Sequence, residues 1–425
     1  WKSKRSEKCK IETMSNDKYD CVDLPPCRLL FRSKEGIEVF PVQSSRDDGE
    51  NSVAARKFLL KGETNFQALL PDGSAALVHR PDKGIFKVDL REHCTSVENE
   101  SDSPFFEKTS PVQVINVSPK GTFLLTWERA ATNSDGPTNN LKVWNISTGE
   151  CVTAFLRKTI SRSSWPYLQW THDENFAFLL TTNEIRIYNG SFPELTKTRY
   201  IDKIRIPGIS SMSLPPSITT IDGGVIGGGI LFAAFIAKDK NKPSRASLYE
   251  YISGTASSSP YPAIASKSLF QAEEMTVYWS PRGDVALISL QSSVDNTGES
   301  YYGSSSLYLM SQQTANDAIA VPLPQDGPVL DVAWMPNVER PPCFAVAAGK
   351  MPSMASLHNG RDGKCTFLFG HRHQNTVSWA PHGRFVNLAG FGNLVRSFVR
   401  SLVCSVLMNN MLTYENVFFV VESSC

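Results

Sequence analysis

The sequence predicts an all-β fold, a β-propeller with at least seven blades, and three observations carry the prediction. A unit of apolar strand, tight turn and second apolar strand recurs along most of the 425 residues. Its turns fall 43 to 66 residues apart, enough for a four-stranded blade with loops at each step. The 26 prolines and 27 glycines are spread through the chain as turn punctuation and gather in no single linker. Length alone would suggest about three domains, but a repeat of this kind favours one large ring.

The clearest copy is NTVSWAPHGRFVNLAGFGN, from Asn375 to Asn393. TVYWSPRGDVALISL from Thr276 and VINVSPKGTFLLTW from Val114 repeat it, and looser copies begin at Phe66, Tyr167 and Val329, with a faint one at Ile209. The turn markers are Pro71, Pro119, His172 in place of proline, Pro215, Pro281, Pro336 and Pro381. In Ser-Pro-x-Gly, proline presets the backbone at the second turn position and glycine closes the turn without steric cost. The flanking strands alternate, so that one set of side chains packs on the neighbouring sheet. Outer strands follow at Leu141 to Ile146 and Glu184 to Tyr188. Trp127, Trp144, Trp170, Trp279, Trp334 and Trp379 occupy strand positions and read as blade core. In such a fold the strands at Arg28 to Arg32 and Gly36 to Val42 would close the ring by pairing into the last blade.

Composition narrows the function classes. Lys+Arg 43 against Asp+Glu 42 gives a net charge of +1, so bulk charge singles out no partner. Nine scattered cysteines without a Cys-x-x-Cys pair argue against a zinc site and suit a reducing cytoplasm. Arg396, Arg400, Asn409, Asn410 and Glu415 interrupt any membrane-length apolar window near the end. Gly298-Glu299-Ser300-Tyr301-Tyr302-Gly303 is one residue too long for a nucleophile elbow and reads as a loop. DGGVIGGG, Asp222 to Gly229, opens onto a strand and not a helix, so it reads as a bend and not a phosphate cradle. No catalytic, cofactor or metal residues are therefore assigned, and a non-enzyme is expected.

Basic loops are the remaining candidates. Lys238, Lys240 and Lys242 with Arg245 form one group, and Lys197, Arg199, Lys203 and Arg205 a second beside a strand end. Loops projecting from a rigid ring are where such proteins meet partners, and lysine and arginine there can pair with RNA phosphates. His371, Arg372 and His373 precede the strongest hairpin. They read first as a structural loop bonding within its blade, then as a partner contact, and least as a metal site, because no third ligand is visible.

FGHRHQNTVSWAPHGRFVNLAGFGNL resembles the matching stretch of the eukaryotic translation initiation factor 2A family, whose propeller is WD40-like. The resemblance extends to CRLLFRSKEGIEVF, SPKGTFLLTWER, LKVWNISTGECVTAF and MTVYWSPRGDVALI, and covers roughly residues 27 to 394. AGFGN after the second strand makes it specific, since ordinary WD repeats lack it. The resemblance implies a nine-bladed propeller followed by a helical, charged region, and against that pattern the last blade is expected to be missing after Leu394. It implies partners too: the small ribosomal subunit, initiator methionyl-tRNA, mRNA and other initiation factors, with no membrane. A propeller like that of the b subunit of initiation factor 3 ranks second, because no RNA-recognition strand precedes the repeats. A generic WD-repeat protein-interaction scaffold is the other alternative. The expected domains are 1–22, an extension in which Met14 is a candidate start; 23–394, the propeller; and 395–425, a tail that departs from the family pattern and reads as intron translation.

Overall fold

The computed structural model describes residues 64–90 without 65 and 82, 106, 112–190 without 130, 131, 134 and 135, 200–216, 229–238, 242–254, 260–292 without 271, 304–380 without 315 and 316, 383 and 385–390, together with strands at 27–33, 36–42 and 57–61. Two units emerge. In the first, Cys27–Ser33, Gly36–Val42 and Lys57–Lys61 pair consecutively as an antiparallel sheet. The strands expected to close a ring, 28–32 and 36–42, pair with each other, and the last blade into which they were expected to pair lies outside the described residues.

The second unit is built from consecutive antiparallel sheets, five of them four-stranded. The first blade comprises Phe66–Leu69, Ala75–Arg80 and Gly84–Asp89. The second comprises Val112–Val117, Phe123–Glu128, Leu141–Asn145 and Cys151–Phe155. Leu168–Trp170, Phe176–Leu180, Glu184–Asn189 and Asp202–Arg205 make the third. Ile209–Ser213, Ile230–Ile236, Ser244–Tyr251 and Ala265–Leu269 make the fourth. Glu274–Trp279, Val285–Ser292, Ser304–Ser311 and Ile319–Ala320 follow as the fifth. Val329–Trp334, Cys343–Ala348, Ser353–Asn359 and Cys365–Arg372 are the sixth. Thr376–Trp379 and Val386–Ala389 are the described strands of the seventh.

The repeated turn is one geometry made five times. The fourth residue's amide donates to the first residue's carbonyl at Gly73 to Leu70, Gly121 to Ser118, Glu174 to Thr171, Gly283 to Ser280 and Gly383 to Ala380, at 2.8–2.9 Å. Each fourth residue is left-handed, with φ between 56° and 76°, which is why glycine recurs. Glu174 holds that conformation with a side chain, at a cost of about 1–2 kcal/mol. Its carboxylate offsets the cost by accepting the Lys120 amide, in the neighbouring blade's turn, at 2.8 Å.

The first strands of successive blades stand side by side and are stitched by side chains. Gln169 donates to Met212 O at 2.9 Å and accepts from Leu214 N at 2.9 Å. Asp331 accepts from Val377 N at 2.7 Å. Four first strands end in tryptophan, and in three of them the indole reaches back one blade. Trp379 Nε1 donates to Ala333 O at 3.0 Å, Trp334 Nε1 to Tyr278 O at 2.9 Å and Trp279 Nε1 to Ser213 Oγ at 3.0 Å. Trp170, at the same position in the third blade, finds no such acceptor. At the corresponding end of the second blade's first strand stands Val117, where the fourth blade has Ser213.

The expected tryptophan core holds, with Trp127, Trp144, Trp170, Trp279 and Trp334 buried and Trp379 half-buried. Second and third strands form the driest layers, as in Phe123–Glu128 and Cys343–Ala348, whose every residue is buried. A buried histidine that the sequence reading missed, His358, completes the sixth blade. Its Nδ1 lies 3.0 Å from Gly363 O, an acceptor, so Nδ1 carries the proton and Nε2 accepts from Ser356 Oγ at 2.8 Å. Its ring stacks on Phe344 at 5.2 Å.

Candidate nucleic-acid interface

In an antiparallel four-stranded meander, the first-to-second and third-to-fourth connections share one edge of the blade. The second-to-third connection and the link to the next blade share the other. Neighbouring blades are aligned, because turns touch turns: Gly121 faces Pro71, and Arg282 donates to Val338 O through Nε at 3.0 Å. Loops distant in sequence are therefore collected on one edge.

That collection sorts charge. On the second edge, the connections 156–167, 181–183, 206–208 and 237–243 join the second, third and fourth blades. Among their described residues are the cations Arg157, Lys158, Arg162, Lys238 and Lys242, and no aspartate or glutamate. Exposed Arg205 and Arg245 end the adjoining strands. On the opposite edge of the second and third blades, the described connections carry Glu150, Asp173 and Glu174 against Lys120. A chain of net charge +1 thus presents an excess of cations on this edge, although Glu184 faces Arg205 across the ladder and Glu273 lies in the fourth blade's link to the fifth.

Two of the three predicted groups meet there. Arg205 ends the third blade, and the turn after it brings Gly208 against Ile236, with 3.5 Å from its Cβ position to Ile236 Cγ2. Ile236 in turn leads to Lys238. Arg245 lies within a strand and not in the loop expected for it, while Lys203 and Arg205, expected beside a strand end, belong to the strand Asp202–Arg205; Arg205 and Arg245 are exposed. Lys203 is half-buried. Across the ladder it faces Arg186, a like charge, and both reach the Tyr200 ring, at 5.9 and 5.4 Å. Arg186 also binds Glu184 at 2.9 Å, which raises its pKa through that hydrogen bond. Lys197, Arg199 and Lys240 lie outside the described residues.

His371, Arg372 and His373 end the sixth blade's outer strand, on the same edge but two blades away. All three are exposed. Their backbone is bonded within the blade, where His371 and Arg372 pair with Met354 and Ser353 and Ser353 Oγ donates to Arg372 O at 3.1 Å, and a further histidine, His358 on the strand before, bonds there through its ring. Among the described residues, no three His, Cys, Asp or Glu side chains are grouped to hold a metal ion. Burial pushes the Cys343 thiol up to about 11, which suppresses the thiolate.

Arg157, Lys158 and Arg162 escaped the sequence reading, since only the topology places them beside Arg205. Arg157 is held firmly. Asn140 brackets its backbone with bonds of 2.8 and 2.9 Å, and its guanidinium lies 4.0 Å over Tyr167 and donates to Leu180 O at 3.4 Å. A planar cation so fixed on a blade edge is preorganised for a phosphate. Among the described residues, no helix is long and apolar enough to cross a membrane.

A WD-type propeller with a basic edge is the class that this geometry defines. Residues 267–399 match the family model described as eukaryotic translation initiation factor eIF2A. The protein named eukaryotic translation initiation factor 2A in Dictyostelium discoideum is 33% identical over 284 residues, covering 67% of this chain and 42% of that relative. The b subunit of eukaryotic translation initiation factor 3 from Xenopus laevis is 25% identical over 304 residues, 70% of this chain and 39% of its own. A solved structure titled as a crystal structure of the eukaryotic initiation factor superposes with a TM-score of 0.62 at 22% identity, covering 87% of this chain and 80% of that one, and shares the fold. The chain belongs to the eukaryotic translation initiation factor 2A family, and it spans less than half the length of the curated relatives it matches.

Proposed function

We propose that this propeller is a non-catalytic, cytoplasmic scaffold of translation initiation that docks on RNA of the small ribosomal subunit and assists delivery of initiator methionyl-tRNA to mRNA, beside other initiation factors. The observation that carries the reading is the run of cations in the connections that join the second, third and fourth blades. Five cations in its connections, with Arg205 and Arg245 beside them, can neutralise phosphates on one rigid surface, and such binding is set by counterion release. The family relation supplies the translational setting.

The test is sedimentation of tagged protein with small ribosomal subunits at graded salt. A Lys158→Glu, Arg205→Glu, Lys238→Glu variant is expected to leave the subunit fractions, while Glu150→Lys on the opposite edge stays. Wild-type binding should fall steeply with salt, by a log–log slope of about one per phosphate contact removed. If the triple variant sediments as the wild type does, the edge is not the docking surface. If the wild type never leaves the soluble fractions, a generic WD scaffold is the better description.

A further inference from the structure

The link from the second blade to the third, residues 156–167, runs along the basic edge and contains a short 3-10 turn, Arg162–Ser164. Its hydroxyls are not equivalent. Ser164 is buried and donates to Ser210 O at 2.6 Å, and Ser163 is half-buried against Ser161, Oγ to Oγ at 2.7 Å. Thr159 and Ser161 are exposed. In the neighbouring connection, Thr181 Oγ1 donates to Glu184 O at 2.6 Å, and Thr182 is exposed but follows four uncharged residues.

Ser161 differs from the others in its flanks. Arg157 and Lys158 stand four and three positions before it and Arg162 one after, whereas Ser163 has Ile160 at three before and Thr159 has Leu156. Lys158 and Arg162 are exposed, and residues 156–161 belong to no helix or strand. The backbone at Ser161 is extended, with φ −121° and ψ 137°, and its hydroxyl makes no capping bond to the turn that follows. It is held from behind: the Ser161 amide donates to Tyr167 Oη at 2.9 Å, and its carbonyl accepts from the Ser164 and Trp165 amides at 3.2 and 3.1 Å. An extended segment thus offers one hydroxyl between exposed cations, a pattern that a cleft lined with carboxylates can read.

We propose that Ser161 is a phosphorylation site for a serine kinase that selects basic flanks, and that its phosphate switches off RNA docking; the switch rests on the docking function above. Ser161 Oγ forms a bond to the γ-phosphorus of a nucleoside triphosphate as the bond to the β,γ-bridging oxygen breaks. The hydroxyl proton passes to the kinase's carboxylate and the nucleoside diphosphate leaves. The transferred group brings a charge of about −2 to a connection that holds Arg157, Lys158 and Arg162. Its oxygens accept hydrogen bonds from Lys158 and Arg162, so two cations are withdrawn from RNA and the approaching backbone meets a dianion.

The experiment incubates the whole chain with magnesium ATP and either protein kinase C or the catalytic subunit of cyclic-AMP-dependent kinase, with an acid-directed kinase of the casein-kinase type as control. Mass spectrometry of phosphopeptides locates the label, and the product is then sedimented with small ribosomal subunits. A basic-directed kinase is expected to label Ser161 and the control to leave it bare, with Lys158→Ala slowing the labelling about tenfold. Loss of two phosphate contacts should weaken subunit binding about thirtyfold at about 0.15 M salt and lower the log–log salt slope by about two. Phosphatase should restore both, and kinase-treated Ser161→Ala, which loses only the bond to Ser163, should sediment as the untreated wild type does. If neither basic-directed kinase labels Ser161, or the control labels it faster, the site is overturned. If labelled Ser161 leaves sedimentation unchanged, the switch is overturned and docking stands. If the untreated chain never sediments with subunits, docking falls and the switch with it, while a labelled Ser161 upholds the site.

Discussion

Replacing Trp334 and Trp170 separately by phenylalanine compares two residues at one structural position that differ in a single bond. Both are buried, at 9% and 3% exposure, and both end the first strand of a blade. Truncating indole to phenyl removes similar apolar surface from each. Trp334→Phe additionally breaks the bond to Tyr278 O at 2.9 Å, a net loss of about 1 kcal/mol. Trp170→Phe instead deletes a donor that has no partner, relieving a desolvation cost of about 1 kcal/mol. The two variants should therefore differ by about 2 kcal/mol, with Trp334→Phe the weaker. With an m-value of about 3 kcal/mol/M, the urea midpoints separate by about 0.7 M. Equilibrium unfolding followed by the fluorescence of the remaining tryptophans measures this directly. Equal midpoints would refute the idea that the indole bonds stitch neighbouring blades, and with it the special status of the Trp170 junction.

Val117→Thr keeps the shape of the side chain and places a hydroxyl where Ser213 serves Trp279; it should raise stability by up to about 1 kcal/mol, whereas the same change at exposed positions is neutral. His358 is held neutral, its pKa lowered by burial against a smaller opposing effect of the Gly363 bond. The unfolded chain then binds a proton that the folded chain refuses, so stability should decline as pH falls from about 6.5 through the lowered value, and His358→Gln should flatten that slope in thermal melts. Gly73→Ala meets open space and should cost only the left-handed penalty of about 1–2 kcal/mol. Gly190→Ala would set a Cβ 2.5 Å from Glu174 O, against backbone, and should lower the midpoint further than Gly73→Ala does. Lys142→Met would strand Glu128, which is 2% exposed and bound to Lys142 at 2.8 Å, with an expected loss of about 3–5 kcal/mol.

Much of the propeller was legible because its turn is local chemistry. Ser118-Pro119-Lys120-Gly121 and Ser280-Pro281-Arg282-Gly283 fold alike whatever surrounds them, and four contiguous residues are enough to recognise each. His172 was read correctly as a proline substitute, although the left-handed Glu174 behind it was not visible, since its support comes from Lys120 one blade away. The basic edge proposed as an interface was legible only in part. Lys238 and Arg205 announce themselves as clusters, but Arg157, Lys158 and Arg162 join them through blade alignment, which no short window records. His371 to His373 drew attention by their spacing, whereas His358 works through Ser356 and Gly363, two ordinary neighbours.

The blades pair strictly in chain order, each described strand bonding to those just before and after it in its sheet. Closing such hairpins needs only short loops, so the entropy of bringing distant segments together is not incurred until whole blades meet. A chain of this kind can assemble vectorially: one sheet completes its ladder while the next is still being synthesised, and each finished first strand is a template for its successor. For a protein of the translation apparatus, the order in which its surfaces become competent would then follow the order in which they emerge, with the basic edge of the second to fourth blades complete before the fifth has been made.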